Sequence, residues 1–470
     1  MPSLRGGKPR AVLAAASLAF AALSATPARA GDPVPFRLAS AIDAPDWLTL
    51  GGSYRIRYET LDGPYRAKQK GSDQILVERL LLAARVRMDA FFIGGELEDS
   101  RQQLADTGTH LGTDSVDALE PLQFYAGFTA HDAFAPGSTL EVTAGRITID
   151  EGSRRLVARN SFRNTINAFT GVRAAWHGAG GAELDAFYVL PVNREPTALD
   201  ELLDNSVRMD SESWHTRLWG LFVSEPKLIG RATGEAYVYG FHNEDGPGLK
   251  VADRDLYTPG VRVVAKPAAG LWDYEAEAAM QFGWSRTTTS ASDTRNLNHV
   301  AGFLHASAGY TWDAPWKPRL SLEYDYASGD EHPRDGTDNR FDTLYGARRF
   351  DFGPTGLYGA VARSNIDTPG LRLNLAPAKD LTAMIGYRAL WLASPRDQWT
   401  TAGLTDPTGK SGSYLGQQVE GMLRYDPLPG VLSLEAGGAY LDHGSFQEHV
   451  PGAPAAANTT YGYLSATVTF

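Results

Sequence analysis

Apolar and polar residues alternate along several long stretches of this chain. Between residues 48 and 60, Leu50, Tyr54 and Ile56 fall on one face, while Arg55 and Arg57 fall on the other. A period of two predicts β-strands with one apolar and one polar face. The runs are about ten residues long, which is what a tilted strand needs to cross a bilayer, whereas strands of soluble sandwiches average about five or six.

About eighteen such runs follow one another, and the connections between them alternate in length. The runs are centred near residues 54, 82, 95, 124, 143, 173, 186, 219, 237, 261, 278, 306, 323, 373, 387, 421, 436 and 465. Long connections, such as 150–168 and 328–368, alternate with short ones, such as 178–181. Short periplasmic turns and longer outer loops are typical of outer-membrane barrels.

The pattern predicts an all-β fold, a transmembrane antiparallel β-barrel of about 18 strands with short periplasmic turns and long outer loops. The last run ends in Phe470, which resembles the terminal signal that the barrel-assembly machinery recognises in bacterial outer-membrane proteins. Tryptophans lie at run ends, where an interfacial aromatic girdle is expected. These are Trp47, Trp176, Trp272, Trp312, Trp316 and Trp391.

The N-terminus indicates export to the cell envelope. Residues 1–30 combine a basic start, a short apolar run and the small-residue site Ala28-Arg29-Ala30, which predicts a signal peptide. No later run reaches the roughly 20 apolar residues of a membrane helix. The chain has no cysteine, so disulfide and thiol chemistry are excluded. Residues 31–470 are therefore expected to form a single outer-membrane barrel domain.

A barrel of this size leaves an aqueous lumen, and the polar face of each run points into it. Alternation places a group of arginines there: Arg55, Arg57, Arg85, Arg87, Arg173, Arg388 and Arg424. Carboxylates such as Glu59, Asp185 and Glu420 accompany them. The formal net charge of −11 opposes long-range attraction of an anion, so any such preference must come from local potential.

Residues 145–176 concentrate arginine in one predicted outer loop and its flanks. The window holds Arg146, Arg154, Arg155, Arg159, Arg163 and Arg173 against Asp150 and Glu151. Guanidinium groups bind carboxylates through two parallel hydrogen bonds. The alternative is a solvated charged loop. Strict alternation would aim Arg146 at lipid, and it faces the lumen only if Gly145 forms a bulge or the strand ends there.

Two blocks of sequence resemble the alginate export family of outer-membrane barrels. One comprises Gly145-Arg146, the segment GSRRLV and the following FTGVR; the other is 322–351, LEYDYASGDEHPRDGTDNRFDTLYGARRFD. The resemblance implies a monomeric eighteen-stranded barrel with a basic constriction for polyuronate passage. It matches Arg146, Arg154, Arg155 and Arg173 to the substrate path, and Ser328, Gly329 and Asp330 to a turn in a gating loop.

These observations favour an outer-membrane pore that secretes an acidic, alginate-like exopolysaccharide through an arginine-lined lumen. An uptake porin for acidic oligosaccharides or small solutes is the alternative, and an enzyme or a structural barrel is a remote one. The histidines form no nucleophile or metal-ligand motif, so neither catalysis nor a cofactor nor a metal is expected. Asp330, Glu331, Asp335 and Asp338 offer oxygen ligands of the kind that Ca²⁺ takes, but a solvated acidic loop is the favoured interpretation.

The expected partners follow from this placement. They are an anionic polysaccharide or oligosaccharide, outer-membrane lipid, the barrel-assembly machinery and periplasmic export proteins. Nucleic acid is not expected.

Overall fold

The computed structural model describes residues 37–246 and 250–470. Within them, eighteen antiparallel strands close into one barrel, and a further two-residue strand, β14, pairs in parallel with β12. Closure occurs at β1, where Tyr54 lies opposite Leu80 of β2 on one side and Val468 of β19 on the other. The predicted 18-stranded barrel is confirmed. The signal peptide predicted over residues 1–30 lies outside the described residues and stays a prediction.

Each predicted run corresponds to one barrel strand. The strands are β1 Leu48–Asp62, β2 Asp73–Met88, β3 Phe91–Gln103, β4 Asp117–His131, β5 Thr139–Ile147, β6 Phe169–His177, β7 Glu183–Pro191, β8 Thr216–Ile229, β9 Ala232–Asn243, β10 Arg254–Ala265, β11 Trp272–Ser285, β12 Leu297–Thr311, β13 Arg319–Ala327, β14 Thr337–Asp338, β15 Ile366–Ala378, β16 Leu381–Trp391, β17 Tyr414–Leu428, β18 Leu432–His443 and β19 Asn458–Thr469. Short helices are α1 Leu38–Ala41, α2 Leu199–Leu203, α3 Arg349–Phe352 and α4 Ser445–His449. None of these described helices has the length and apolarity to cross a bilayer.

The outer surface of the barrel is apolar, as lipid contact requires. Its large exposed side chains include Leu82, Phe124, Phe128, Val172, Leu322, Leu423 and Val468. Trp47, Trp272, Trp312 and Trp316 are exposed as well, and they lie at the end of the barrel that carries the short turns. This is where an aromatic girdle stabilises a strand end at the membrane interface.

The buried apolar core lies inside the barrel. Two long outer loops, L3 (residues 148–168) and L7 (residues 328–365), supply Val157, Phe352 and Tyr358, which are almost fully buried. They pack with inward-facing wall residues such as Phe169 and Tyr239. The strands therefore form the wall, and these loops form the packed interior that positions the polar side chains of the lumen.

Candidate functional site

L3 crosses the lumen from one wall to the other. Its Phe162 carbonyl accepts a hydrogen bond of 2.6 Å from Arg57 on β1. Its Arg155 guanidinium contacts Glu277 on β11 at 2.7 Å. β1 and β11 are separated by nine strands one way and seven the other, so they lie on opposite sides of the barrel. A loop that contacts both must pass through the middle.

L7 meets L3 inside the barrel through main-chain hydrogen bonds. The Tyr345 amide donates to the Leu156 carbonyl at 2.9 Å, and the Ala347 amide donates to the Arg154 carbonyl at 2.9 Å. Val157 and Tyr345 form an isolated parallel bridge. The two loops thus form one composite element in the lumen, here called the L3–L7 plug.

A buried group of charges, here called the latch, joins the two loops. Arg155 of L3 donates to Asp351 of L7 through Nε at 2.9 Å and through Nη2 at 3.0 Å. Arg363 also donates to Asp351. Burial acts to raise the pKa of Asp351, but Arg155 and Arg363 hold it well below the usual range. The carboxylate is therefore ionised, and the latch is a charge-assisted clamp.

A second set of arginines binds L3 through neutral carbonyl groups. Arg55 of β1 donates to the carbonyls of Ser161 at 2.9 Å and Arg163 at 2.7 Å. Arg79 of β2 donates to the same two carbonyls at 3.1 and 3.0 Å. Both side chains are almost buried, at 8% and 7% exposure. Among the described residues neither guanidinium forms a direct ion pair with a carboxylate, so neither charge is compensated by a bound partner.

Cavities lie on both sides of the plug. The one at the short-turn end has a volume of about 450 Å³ and is lined by Arg55, Arg57, Lys379 and Arg424, with Glu435 among the acidic residues. The one toward the outer loops has a volume of about 520 Å³, and its lining includes Arg254, Arg286, Arg340 and Arg348. Both mouths of the lumen therefore present guanidinium groups.

Most of the other predicted lumenal arginines pair with carboxylates of the wall. Arg85 contacts Glu141 at 2.9 Å, Arg388 contacts Asp325 at 2.9 Å, Arg173 donates to Asp185 at 2.7 Å, and Arg424 contacts Asp426 at 3.2 Å. Arg87 is exposed near the periplasmic end of β2, and no ion pair to it is found within the described ranges. Their role in passage stays a prediction.

Arg146 lies apart from the lumenal group. The pairing of β5 with β4 and β6 is continuous through Gly145, so the strand has no bulge there. Arg146 consequently pairs across with Phe124, which is 66% exposed on the outer face. Its guanidinium binds Glu120 and, at 3.0 Å, Glu212 of the loop 192–215. Regular pairing therefore gives Arg146 the parity of the outer-face residues, and its place in the substrate path stays a prediction.

Arg154 and the predicted turn at Ser328 lie in the plug. The Arg154 guanidinium stacks over the Phe350 ring at 5.2 Å. Ser328 anchors the start of L7, since its hydroxyl accepts the Gly302 amide at 2.9 Å. The Asp330 amide donates to Asp397 at 2.9 Å, and Gly329 packs directly against Asn365. These three residues hold the base of L7 to its neighbours.

Sequence reasoning assigned no role to Asp351, Arg348, Arg349 or Arg363. Arg348 lines the outer cavity, and Arg349 contacts Glu420 on β17 at 3.5 Å. One feature of the sequence could have identified them: Arg348 and Arg349 are adjacent and lie close to Asp351, so this segment contains an arginine cluster like that of L3. Nothing in the sequence indicated that the two clusters meet.

Known proteins support the architecture. Three solved outer-membrane proteins of Pseudomonas aeruginosa share it: OccK9 (OpdG) at 14% identity and a TM-score of 0.57, OpdQ at 12% and 0.56, and OpdK at 11% and 0.55. Each match covers 90% of this chain and 98%, 97% and 99% of the other chain, respectively. No curated protein shows a significant match.

The family model described as alginate export matches residues 46–455. That span contains seventeen complete barrel strands, both loops of the plug and the latch. Transport rather than catalysis is the activity of that family. The chain therefore belongs to the alginate export family and is a pore of the bacterial outer membrane.

Proposed function

We propose that this pore secretes an acidic exopolysaccharide of the alginate type and that the L3–L7 plug is its gate. The observation that carries the proposal is the pair Arg55 and Arg79, whose guanidinium groups bind carbonyl oxygens of L3 and no carboxylate of the described chain. When residues 161–164 leave, two adjacent cations face the lumen. Uronate carboxylates present oxygen acceptors of the kind that the L3 carbonyls now provide.

Cationic side chains at each mouth extend this path. Lys379 lines the periplasmic cavity beside Arg55, and Arg348 lines the outer one. Neither forms an ion pair with a carboxylate of the described residues, whereas the lining residues Arg57, Arg424, Arg254 and Arg340 do. A carboxylate 4 Å from a guanidinium gains about 1 kcal/mol in bulk water and about 4 kcal/mol at an effective dielectric constant of 20. Several such contacts in series attract a polyanion and still allow it to move on.

An uptake channel for acidic oligosaccharides or small solutes is the second candidate. The outer cavity, at about 520 Å³, has the size of a small-molecule site, which spans roughly 300–1,000 Å³. One similar barrel, OpdK of Pseudomonas aeruginosa, has been solved with vanillate, a small carboxylate. In this case the plug would remain in place while small anions pass around it.

Single-channel conductance in planar bilayers tests both candidates. We expect anion-selective current that added polymannuronate blocks and a neutral glucan does not. Replacing both Arg55 and Arg79 with glutamine should weaken the block about tenfold, which corresponds to about 1.4 kcal/mol. Arg231→Gln is the matched control, because Arg231 lies at the barrel rim and donates to the Lys266 and Trp272 carbonyls.

The outcomes separate the candidates. Current that ignores every polymer but responds to small carboxylates would replace export with uptake. Equal polymer block in the double variant and in Arg231→Gln would refute the assignment of the binding cations.

The proposed partners are consistent with the chain terminus. The Phe470 amide donates to the Gly52 carbonyl at 3.0 Å, and its carbonyl accepts the Gly52 amide at 2.9 Å. Phe470 therefore lies at the seam where β1 and β19 close the barrel. We infer that the assembly machinery recognises this terminal strand, that the pore acts as a monomer, and that periplasmic export proteins deliver the polymer.

A further inference from the structure

Four carboxylates converge near the outer-loop end of β3 and β4. Glu98 belongs to β3, Asp117 and Glu120 to β4, and Asp210 to the loop 192–215, here called L4. One carboxylate oxygen from each of Asp117, Glu120 and Asp210 lies within 4.8 Å of the others. Glu98 lies directly opposite Glu120 in the strand pairing. The group is separate from the plug and the latch.

Asp117 is buried without a partner. Its exposed fraction is 1%. No described residue donates a hydrogen bond to either of its carboxylate oxygens. Oε2 of Glu98, a fully buried residue, is likewise without a donor. A buried charge without a partner is strongly unfavourable, so a side chain in this position indicates a missing cationic ligand or a bound proton.

Nearby cations do not balance the four carboxylates. Arg146 binds Glu120, but it also binds Glu212, an additional carboxylate at the rim. Arg194 lies near Asp117 and Asp210, but its resolved hydrogen bond goes to Asn167 at 3.2 Å. Arg79 and Arg159 approach from the Glu98 side only. The cluster around Asp117 thus retains excess negative charge.

We propose that Asp117, Glu120 and Asp210 bind a Ca²⁺ ion that fastens L4 to the barrel wall. Ca²⁺ takes oxygen ligands at about 2.3–2.6 Å, and two ligands on opposite sides of such an ion are separated by roughly 4.8 Å. The cluster offers only oxygen ligands, which excludes the nitrogen and sulfur sets preferred by zinc. Glu98, on the neighbouring strand β3 opposite Glu120, adds a further negative charge beside the site. The inference does not depend on the identity of the exported cargo.

A second group with metal-like spacing does not share these properties. His305, Asp325 and Asp351 also approach one another. Asp325 contacts Arg388 at 2.9 Å, and Asp351 binds Arg155 at 2.9 Å. Because these carboxylates already have cationic partners, that group is a salt-bridge network and needs no ion.

Proton binding is the physical competitor of Ca²⁺ at the Asp117 cluster. A buried carboxyl group without a cationic partner is more stable protonated than ionised, so protons and Ca²⁺ compete for this cluster. Ca²⁺ should therefore bind more tightly at pH 8 than at pH 5, because it binds the deprotonated form.

The test uses the full mature barrel refolded in detergent. Calorimetric titration with CaCl₂ measures binding, and the unfolding temperature is measured with CaCl₂, with MgCl₂ and with a chelator at pH 5 and pH 8. We expect Ca²⁺ binding at pH 8 that raises the unfolding temperature more than Mg²⁺ does. Asp117→Asn and Asp210→Asn should each weaken binding at least about 100-fold, and Glu98→Gln about 10- to 100-fold. L4 should also resist limited proteolysis better when Ca²⁺ is present.

Glu448→Gln is the matched control, since Glu448 is an exposed acid of the outer-loop helix α4 and has no role in the proposed site. It should bind Ca²⁺ like the parent. Asp210→Asn keeps the test informative if Asp117→Asn fails to assemble, because Asp210 lies in a loop. Absence of Ca²⁺ binding by the parent, an equal response to Mg²⁺, or equal losses of binding in Glu448→Gln would each overturn the proposal. Stability that is higher at pH 5 than at pH 8 regardless of Ca²⁺ would identify a protonated cluster instead.

Discussion

Replacing Asp351 with asparagine tests whether the latch holds the plug in the lumen. Asp351 accepts two hydrogen bonds from Arg155, at 2.9 and 3.0 Å, and a further one from Arg363. Asparagine preserves the size of the side chain and one oxygen acceptor, but it removes the charge and one acceptor. The change therefore weakens the clamp between L3 and L7 without creating a cavity.

The size of the effect follows from burial. Asp351 and Arg155 are 4% and 3% exposed, so solvent screens their interaction only weakly. Neutralising one partner of a buried ion pair costs about 3–5 kcal/mol. Arg155 retains Glu275 and Glu277, so we take the lower value, about 3 kcal/mol. At 1.4 kcal/mol per tenfold change, the ratio of open to closed states should rise about 100-fold.

Single-channel recording measures this ratio directly from the open and closed dwell times. Asp273→Asn is the matched control. Asp273 is equally buried and binds Arg319 through two hydrogen bonds of 3.0 and 2.5 Å, but both residues belong to barrel strands. This variant should fold less stably and gate like the parent. Heat-dependent migration in SDS gels confirms that each variant is a folded barrel.

The latch is refuted if the channel of the Asp351→Asn variant is open no more of the time than the channel of the Asp273→Asn variant. A double-mutant cycle with Arg155→Gln adds a second criterion. If the two residues act as one clamp, the double variant opens little more than either single variant. Fully additive effects would mean that Arg155 and Asp351 stabilise the plug independently.

Two further predictions concern the base of L7 and the barrel seam. Gly329→Ala places a Cβ 2.0 Å from Oδ1 of Asn365. The clash should destabilise the base of L7 by about 1–3 kcal/mol and increase proteolysis of that loop. Gly180→Ala is the control, because no atom lies within 4 Å of its added Cβ, and it should change neither the unfolding temperature nor proteolysis. Deleting Phe470 removes the two backbone hydrogen bonds to Gly52 and should lower the fraction of assembled barrel in outer membranes. The control variant Thr469→Ser should assemble normally. Normal assembly of the truncated chain would contradict the role of the terminal residue.

The strands were predictable because the bilayer imposes a local rule. Lipid on one side and water on the other require alternation within each strand, and that rule can be read without knowing any partner. The runs near residues 95, 219 and 373, for example, correspond to β3, β8 and β15. The direction of Arg146 followed from the same rule, because its strand neighbours Gly145 and Ile147 keep the regular pairing.

The interior of the lumen was not predictable in the same way. Arg155 and Asp351 are 196 residues apart, and Glu59 accepts the Leu357 amide across 298 residues. Such contacts depend on how two loops fold within a closed wall, and no period in the sequence encodes them. The Asp117 cluster was missed for a related reason, since its ligands come from β4 and L4 with no fixed spacing.

The bonding partners divide the ten predicted arginines by role, and this changes what mutagenesis should examine. Seven form ion pairs with carboxylates of the described chain: Arg57, Arg85, Arg146, Arg155, Arg173, Arg388 and Arg424. A guanidinium that is already neutralised contributes mainly to the wall or the plug, because an anionic cargo must first displace its partner. Arg87, exposed at the periplasmic end of β2, and Arg154, stacked on Phe350 in the plug, form no ion pair within the described residues. Arg55 likewise forms no ion pair with a described carboxylate, and Arg79, which alternation places on the same polar face as Arg85 and Arg87, shares that property. Anion selectivity should therefore depend on Arg55 and Arg79 more than on the total number of lumenal arginines.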